Sequence, residues 1–129
     1  MQSILLVDDN PTFCRIIEQY IGTHPQFEGL VWAQNGKEAI DQARQMQPDI
    51  VLLDLGMPDV SGLEVLPILR SMLPKAVIIV VTLLDTESYR QAALQAGASG
   101  FVPKSKLNAE LITAIENSSA AHQTENEAA

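Results

Sequence analysis

The chain has 129 residues, enough for one compact domain, and 47% of them are apolar, which is sufficient for a hydrophobic core and too many for a disordered chain. Its 8 basic and 16 acidic residues give a formal charge of −8, which argues against a surface that binds nucleic acid or anionic lipid. The longest mostly apolar run has nine residues, far short of the ~20 needed to span a bilayer, so we expect one acidic, cytoplasmic domain.

The first half of the chain alternates strand patterns with amphipathic helix patterns. Residues 4–7 (ILLV) form an uninterrupted apolar run, which is typical of a strand covered on both faces. Apolar residues then recur at helical spacing from Phe13, which predicts a helix that begins near Pro11. A weaker strand pattern at 30–33 precedes a second helical stripe at 39–46.

The second half continues this alternation. Residues 50–53 (IVLL) and 76–81 (AVIIVV) are two further apolar runs, and 100–102 is a weaker strand pattern. Residues 61–64 (SGLE) have the form of a capping box that opens a third helix. Helical stripes follow the last two strands, at 89–96 and 107–115.

The order of elements, βα repeated five times in about 120 residues, predicts the fold class. Right-handed crossovers produce an open, doubly wound parallel sheet with helices on both faces. Ligands of such sheets bind outside the carboxyl ends of the strands, so the residues that follow the strands are the candidates for chemistry. They are Asp8 and Asp9 after the first strand, Asp54 after the third, Thr82 after the fourth and Lys104 after the fifth.

Three carboxylates gathered at one sheet edge repel one another, by about 4 kcal/mol for two charges ~4 Å apart at an effective dielectric constant of ~20. Lys104 supplies one compensating charge, and a hard divalent ion bound through oxygens, Mg²⁺ or Mn²⁺, would supply two more. One carboxylate can then act as a nucleophile toward a phosphoryl group. Asp54 suits that role because it stands alone at the centre of the sheet, whereas the Asp8–Asp9 pair suits metal binding.

These residues resemble the receiver domain of two-component response regulators, and the likeness extends over about 4–115. It is carried by Asp8-Asp9, by 54–58 (DLGMP) with Gly62, and by Thr82, Phe101 and Lys104. The stretch 97–105 (GASGFVPKS) is similar to receivers that precede a helix-turn-helix output. The resemblance implies a flavodoxin-like (βα)5 sheet with strand order 2-1-3-4-5 and a receiver domain over 1–120. The small, polar and acidic composition of the last residues predicts a flexible tail over 121–129.

The resemblance also implies a role for each site residue. Asp54 would accept phosphate from the phosphohistidine of a sensor kinase or phosphotransfer protein. Mg²⁺ would be bound by Asp9, Asp54 and the Gly56 carbonyl, with Asp8 acting directly or through water. Thr82 and Lys104 would bond the phosphoryl oxygens, and Phe101 would repack inward when Thr82 moves. The fourth helix, fifth strand and fifth helix would then control a partner, an output domain or a homodimer.

Four departures from the family pattern carry expectations of their own. Leu83 stands where the family usually has a small residue, and it is expected to crowd the phosphoryl site. Phe101 lacks the hydroxyl of the commoner Tyr, and Ser105 replaces a Pro, so a cis peptide before it is less assured. Neither Gly56 nor Leu84 can position an attacking water, which predicts slow hydrolysis of the aspartyl phosphate.

Three other functions compete with this interpretation. An Mg²⁺-dependent phosphohydrolase usually places its two aspartates two residues apart after the first strand, whereas Asp8 and Asp9 are adjacent. A flavin-binding module needs a hydroxyl- and glycine-rich phosphate loop, whereas residues 8–11 (DDNP) would repel phosphate. A constitutive interaction domain would not need the complete acidic set. Because the chain ends ~14 residues after the last stripe, too few for a helix-turn-helix domain, we expect a stand-alone or an excised receiver.

Overall fold

The computed structural model describes residues 2–128, with side chains described for 2–118. Five strands alternate with five helices, in the predicted order. The elements are β1 (Gln2–Val7), α1 (Pro11–Gly22), β2 (Phe27–Ala33), α2 (Gly36–Met46), β3 (Ile50–Leu53), α3 (Gly62–Met72), β4 (Val77–Thr82), α4 (Glu87–Gln95), β5 (Gly100–Pro103), a 3₁₀ turn (Lys104–Lys106) and α5 (Leu107–Ala128). The predicted tail, 121–129, lies outside the described side chains and stays a prediction.

The strands form one parallel sheet in the order β2-β1-β3-β4-β5, which confirms the predicted fold class. The register aligns Val7 of β1 with Leu53 of β3, and Leu53 with Val80 of β4. The carboxyl ends of the three central strands therefore meet at one rim. Strand order reverses between β1 and β3, which is where open α/β sheets bind their ligands.

Both faces of the sheet are buried, which explains why its strands are continuously apolar rather than alternating. Residues of β1 go alternately to two core clusters: Leu5 and Val7 pack with α2, α3 and α4, and Ile4 and Leu6 pack with α1 and α5. None of the helices within residues 2–128 combines the length and apolar composition needed to cross a bilayer.

Two elements differ in detail from their predicted form. β2 begins at Phe27 rather than near residue 30, because Phe27 is buried and pairs with Gln2. Ser61 caps α3 as predicted, but its hydroxyl accepts a hydrogen bond from the Leu63 N–H (3.2 Å) rather than from that of Glu64. The N–H that Ser61 caps is therefore one residue earlier in the helix than a capping box requires.

Candidate functional site

The backbone at the ends of β1 and β3 fixes two of the predicted site residues. The Asp8 N–H donates to the Ala33 carbonyl (3.0 Å), and the Asp54 N–H donates to the Val7 carbonyl (2.9 Å). Each aspartate thus extends the sheet ladder by one residue, which leaves its side chain little freedom. Asp8 and Asp54 are buried and Asp9 is exposed, and one oxygen from each lies within 4.8 Å of the other two. The structure therefore brings the three carboxylates together.

Lys104, the first residue after β5, places its ammonium among these carboxylates. Its Nζ lies 2.7 Å from Asp8 Oδ2 and 3.9 Å from Asp54 Oδ2. Burial raises the pKa of Asp8 above its ordinary value, although Lys104 and the Asn10 N–H oppose that shift. At this rim one ammonium faces three carboxylates among the described side chains, so negative charge is in excess.

The other Asp8 oxygen connects the site to the start of α1. Asp8 Oδ1 accepts a hydrogen bond from the Asn10 N–H (2.9 Å), and Asn10 Oδ1 in turn caps α1 by accepting from the Phe13 N–H (3.1 Å). The Phe13 ring then covers the ammonium, with Lys104 Nζ 4.1 Å from the ring centroid. The sequence pattern shows Phe13 only as part of an apolar stripe, because helical spacing carries no information about a lysine at the end of β5.

The loop between β3 and α3 (residues 54–61) forms a second wall of the site and is fastened at its α3 end and in its middle. At the α3 end, the Gly62 N–H donates to the Leu55 carbonyl (2.9 Å), and a Cβ on Gly62 would overlap the Asp54 carbonyl oxygen. In the middle, the Asp59 carboxylate accepts from the N–H groups of Gly36 (2.9 Å) and Lys37 (3.2 Å), the first residues of α2.

The contacts of Asp59 with the start of α2 were not predicted from the sequence. Hydrogen bonding from the Gly36 N–H holds the pKa of Asp59 below its ordinary value. No local sequence pattern predicts this contact, because Asp59 caps a helix that begins 23 positions earlier in the chain. The loop that presents Gly56 beside Asp54 is thereby tied to α2 as well as to α3.

The loop between β4 and α4 (residues 83–86) forms the opposite wall. Thr82 is buried at its start, and its Oγ1 accepts a hydrogen bond from the Leu84 N–H (3.2 Å). Leu83 is 76% exposed, so it stands at the mouth of the site, and any crowding by it is confined to that mouth. The walls enclose a cavity of about 270 Å³ that is lined by Asp9, Asn10, Asp54, Gly56, Thr82, Leu83, Leu84 and Lys104.

Phe101 and Ser105 complete the predicted set. The Phe101 ring is buried, in the core cluster shared with α2, α3 and α4, so it already lies inward. The peptide between Lys104 and Ser105 is trans, like every other peptide in the described part of the chain. The structure therefore gathers Asp9, Asp54, Gly56, Thr82 and Lys104 around one cavity, with Asp8 behind it and paired with Lys104. Phe101, a residue of β5, lies in the core cluster instead.

Comparison with known proteins gives a consistent result. Residues 4–116 match the response regulator receiver domain. The nitrate/nitrite response regulator protein NarL of Escherichia coli is 33% identical over 126 residues, which cover 98% of this chain and 58% of NarL. The chain spans about half the length of the curated relatives that it matches.

Two crystal structures show how closely the fold is shared. A two-component response regulator of the LuxR family from Aurantimonas sp. superposes with a TM-score of 0.87 at 34% identity, covering 94% of this chain and 86% of that one. A response regulator from Burkholderia pseudomallei, solved with a phosphorylated aspartic acid, a calcium ion and citrate, gives a TM-score of 0.84 at 22% identity, with coverages of 98% and 73%. At that identity the second likeness shows the fold alone.

Proposed function

Since the chain belongs to the response regulator receiver domain family, we propose that it accepts a phosphoryl group on Asp54 from a sensor histidine kinase or a phosphotransfer protein. The observation that carries this proposal is the set of three carboxylates whose oxygens lie within 4.8 Å of one another beside one lysine. Asp54 is the proposed acceptor because it follows the central strand β3 and lines the open cavity. Asp8 does not line the cavity, and its two oxygens are engaged by the Asn10 N–H and the Lys104 ammonium, so it is poorly placed to attack.

The donor set fits a divalent cation. All candidate ligands are oxygens, and the excess of carboxylates over ammonium favours a cation in the cavity, which suits Mg²⁺ or Mn²⁺. We assign Asp9, Asp54 and the Gly56 carbonyl as ligands. Both oxygens of Asp8 already have partners, Asn10 and Lys104, which favours its acting through water. When bound, the ion would offset charge on the transferring phosphoryl oxygens.

Lys104 and Thr82 are proposed to hold the phosphoryl group once it is on Asp54. The ammonium lies 3.9 Å from Asp54 Oδ2, so a small movement brings it to an oxygen attached there. Thr82 Oγ1 accepts from the Leu84 N–H, which leaves the hydroxyl proton free to be donated. A Thr82 hydroxyl that turns toward the phosphoryl group would draw Leu84 with it and so displace the loop that leads into α4.

The output is proposed to be the face formed by α4, β5 and α5. Phosphorylation adds a charge of about −1.5 to −2 beside Thr82, which leads into the α4 loop, and the buried Phe101 belongs to β5 of this face. Exposed apolar side chains of Leu84, Tyr89 and Leu94 offer contacts to a partner. That partner is a downstream protein, a helix-turn-helix output in a longer protein, or a second copy.

In this proposal the domain works in the cytoplasm and catalyses only its own phosphorylation and dephosphorylation. Its formal charge of −8 disfavours direct binding to nucleic acid or to an anionic membrane. Slow hydrolysis of the aspartyl phosphate stays a prediction. Gly56 and Leu84 both line the cavity, and neither carries a polar side chain that could position a water.

Incubation with acetyl phosphate and Mg²⁺, followed by intact mass spectrometry, tests the proposal. We expect one added phosphoryl group, lost in the Asp54→Asn variant and lost when the metal is chelated. Asp41→Asn is the matched control, because Asp41 is an exposed acid of α2 whose contact is a surface ion pair with Arg44 (3.7 Å).

Acetyl phosphate alone does not represent a kinase, so a phosphorylated histidine kinase is the second donor. An unchanged mass with both donors would contradict the proposal. Modification that persists in Asp54→Asn would place the acceptor elsewhere.

A further inference from the structure

Four residues at the rim of the sheet form a closed circuit of contacts. The Asn10 N–H donates to Asp8 Oδ1 (2.9 Å), and Asn10 Oδ1 accepts from the Phe13 N–H (3.1 Å). The Phe13 ring centroid lies 4.1 Å from Lys104 Nζ, which lies 2.7 Å from Asp8 Oδ2. The start of α1 and the end of β5 are therefore linked through one carboxylate and one ring.

The Phe13 ring gives the Lys104 ammonium a defined position, which the carboxylates alone do not. A lysine has a flexible four-carbon stem, and several carboxylates close together attract its ammonium without selecting one position. The face of an aromatic ring attracts a cation at a defined place and adds no negative charge. The Lys104 side chain is 12% exposed, so the ring acts in a partly desolvated setting where this attraction is stronger than at an open surface.

The ring is itself held in place. Phe13 belongs to the first turn of α1, its N–H is bound by the cap residue Asn10, and its side chain packs against the core cluster shared with α5. Its orientation toward Lys104 is therefore a property of the folded helix. The same ring lines a groove of about 690 Å³ between α1 and the start of α5, together with Ile16 and Leu83.

We propose that Phe13 is a positioning residue for Lys104: its ring holds the ammonium beside Asp54 through cation–π attraction, so the lysine meets the incoming phosphoryl group already in place. This inference rests on the proposed phosphoryl transfer to Asp54. It adds a residue outside the acidic set, on a helix that contributes neither the acceptor nor the lysine.

Three replacements of Phe13 separate the ring's charge distribution from its volume. Leu keeps much of the volume without the ring, Tyr keeps the ring, and 3,4,5-trifluorophenylalanine keeps the shape but weakens the negative face. We expect Leu and the trifluoro ring to lower the maximal rate of phosphorylation by acetyl phosphate about three- to tenfold. Tyr, and the control Ile16→Ala on the same face of α1, stay within about twofold of the unsubstituted protein.

The Mg²⁺ affinity and the donor concentration at half-maximal rate should change by less than about twofold, because the ring touches neither. A purely packing role for Phe13 predicts a normal rate with the trifluoro ring. A normal rate with that ring would therefore overturn the inference.

A second measurement needs no phosphoryl donor. The ring current of Phe13 should shift the ε-methylene proton resonances of Lys104 upfield of those of Lys37, Lys75 and Lys106, and Phe13→Leu should abolish the shift. Unshifted Lys104 resonances would overturn the inference. A wild-type protein that shows the shift but takes up no phosphoryl group would instead contradict the proposed function.

Discussion

The two loops that face each other across the acidic cavity are held in opposite ways. The β3–α3 loop contains buried Leu55, is tied to α2 through Asp59, and leads into Gly62, which lies against the Asp54 backbone. The β4–α4 loop has hydrogen bonds within its own turn, from Leu84 to Thr82 and from Asp85 to Leu83, and its side chains point into solvent. One wall of the cavity is anchored and the other is free-standing.

The helices that follow the loops repeat this difference. α3 buries four residues, namely Gly62, Val65, Leu66 and Leu69, whereas α4 buries Ala93 alone. All nine residues of 83–91 are exposed, so the first half of α4 makes little use of the core. Regions with few buried apolar contacts are the ones that open at low free energy. The proposed acceptor, Asp54, therefore sits on the rigid side, and the proposed response occurs in the region that opens at the lower free energy.

α4 is fastened at its far end by Arg70 of α3. The guanidinium donates to the carbonyls of Gly97 (2.9 Å) and Ala76 (2.8 Å) and to the Ser99 hydroxyl (3.1 Å). Gly97 has a φ of +116°, and a Cβ there would press on the Arg70 side chain. α4 is therefore held after its C-terminal end, whereas its N-terminal half, next to the β4–α4 loop, is exposed.

The largest effect that tests this comparison comes from two leucines, one in each loop. Leu55→Ala should lower the free energy of unfolding by about 3 kcal/mol, because Leu55 is 2% exposed and its removal leaves a cavity. Leu83→Ala should change it by less than about 0.5 kcal/mol, because most of Leu83 is in solvent. Urea denaturation measures both, and equal losses would break the comparison.

Gly62→Ala should be next in size, at about 2 kcal/mol, because the added methyl group would overlap the backbone of Asp54 and force the loop to shift. Gly22→Ala is the matched control, since nothing lies within 4 Å of a Cβ at that position. We expect the control to change the free energy of unfolding by less than about 0.5 kcal/mol. Similar urea midpoints for the two variants would show that the anchor at Gly62 is dispensable.

Arg70→Met should lower the free energy of unfolding by about 1.5 kcal/mol, because it leaves the carbonyls of Gly97, after α4, and Ala76, before β4, without their charged donor. Arg44→Met, which removes a surface ion pair, should cost less than about 0.5 kcal/mol. Hydrogen exchange should accelerate around 97–99 in Arg70→Met. Acceleration confined to α1 and β2 would contradict the assigned role.

The smallest effect is a pH dependence carried by Asp59. Because hydrogen bonds lower its pKa in the folded state, its stabilisation is present above the ordinary value of 3.8 and is lost as pH falls through the lower folded value. Asp59→Ala should therefore lower Tm by a few degrees near neutral pH, with the gap narrowing below about pH 4. Asp85→Ala in the opposite loop should leave Tm nearly unchanged at both pH values, and a gap of constant size would refute the assignment to Asp59.

The contacts in the site that follow from strand pairing could be predicted from the sequence, and those between side chains far apart in the chain could not. Asp8 and Asp54 were placed together correctly, because the ends of neighbouring parallel strands must meet. Phe13 and Asp59 were missed, because each acts on a group far away in the chain and no spacing marks such a pair. Arg70 was missed for the same reason, since its partners lie in turns whose carbonyls carry no sequence signal.

Leu83 illustrates a different limit. It belongs to the longest apolar run in the chain, whose composition continues past the strand. The structure ends β4 at Thr82 and leaves Leu83 exposed. This exposure could not be predicted from hydropathy, because hydropathy does not distinguish a buried strand from an apolar loop at the surface. The sequence therefore placed Leu83 beside the site, but it could not show that this side chain lies in solvent at the mouth of the cavity.

The position of β4 within the sheet has a consequence for aggregation. Its sequence, VIIVVT, has the β propensity and absence of charge typical of segments that assemble into cross-β fibrils. In the folded protein it has a neighbour on each side, while the sheet edges are β2, bulged at exposed Glu28, and β5, only four residues long and ended by Pro103. During synthesis, a chain that has not yet extended to residue 100 lacks β5, so β4 is briefly an unpaired edge strand of the sheet and can pair with another chain.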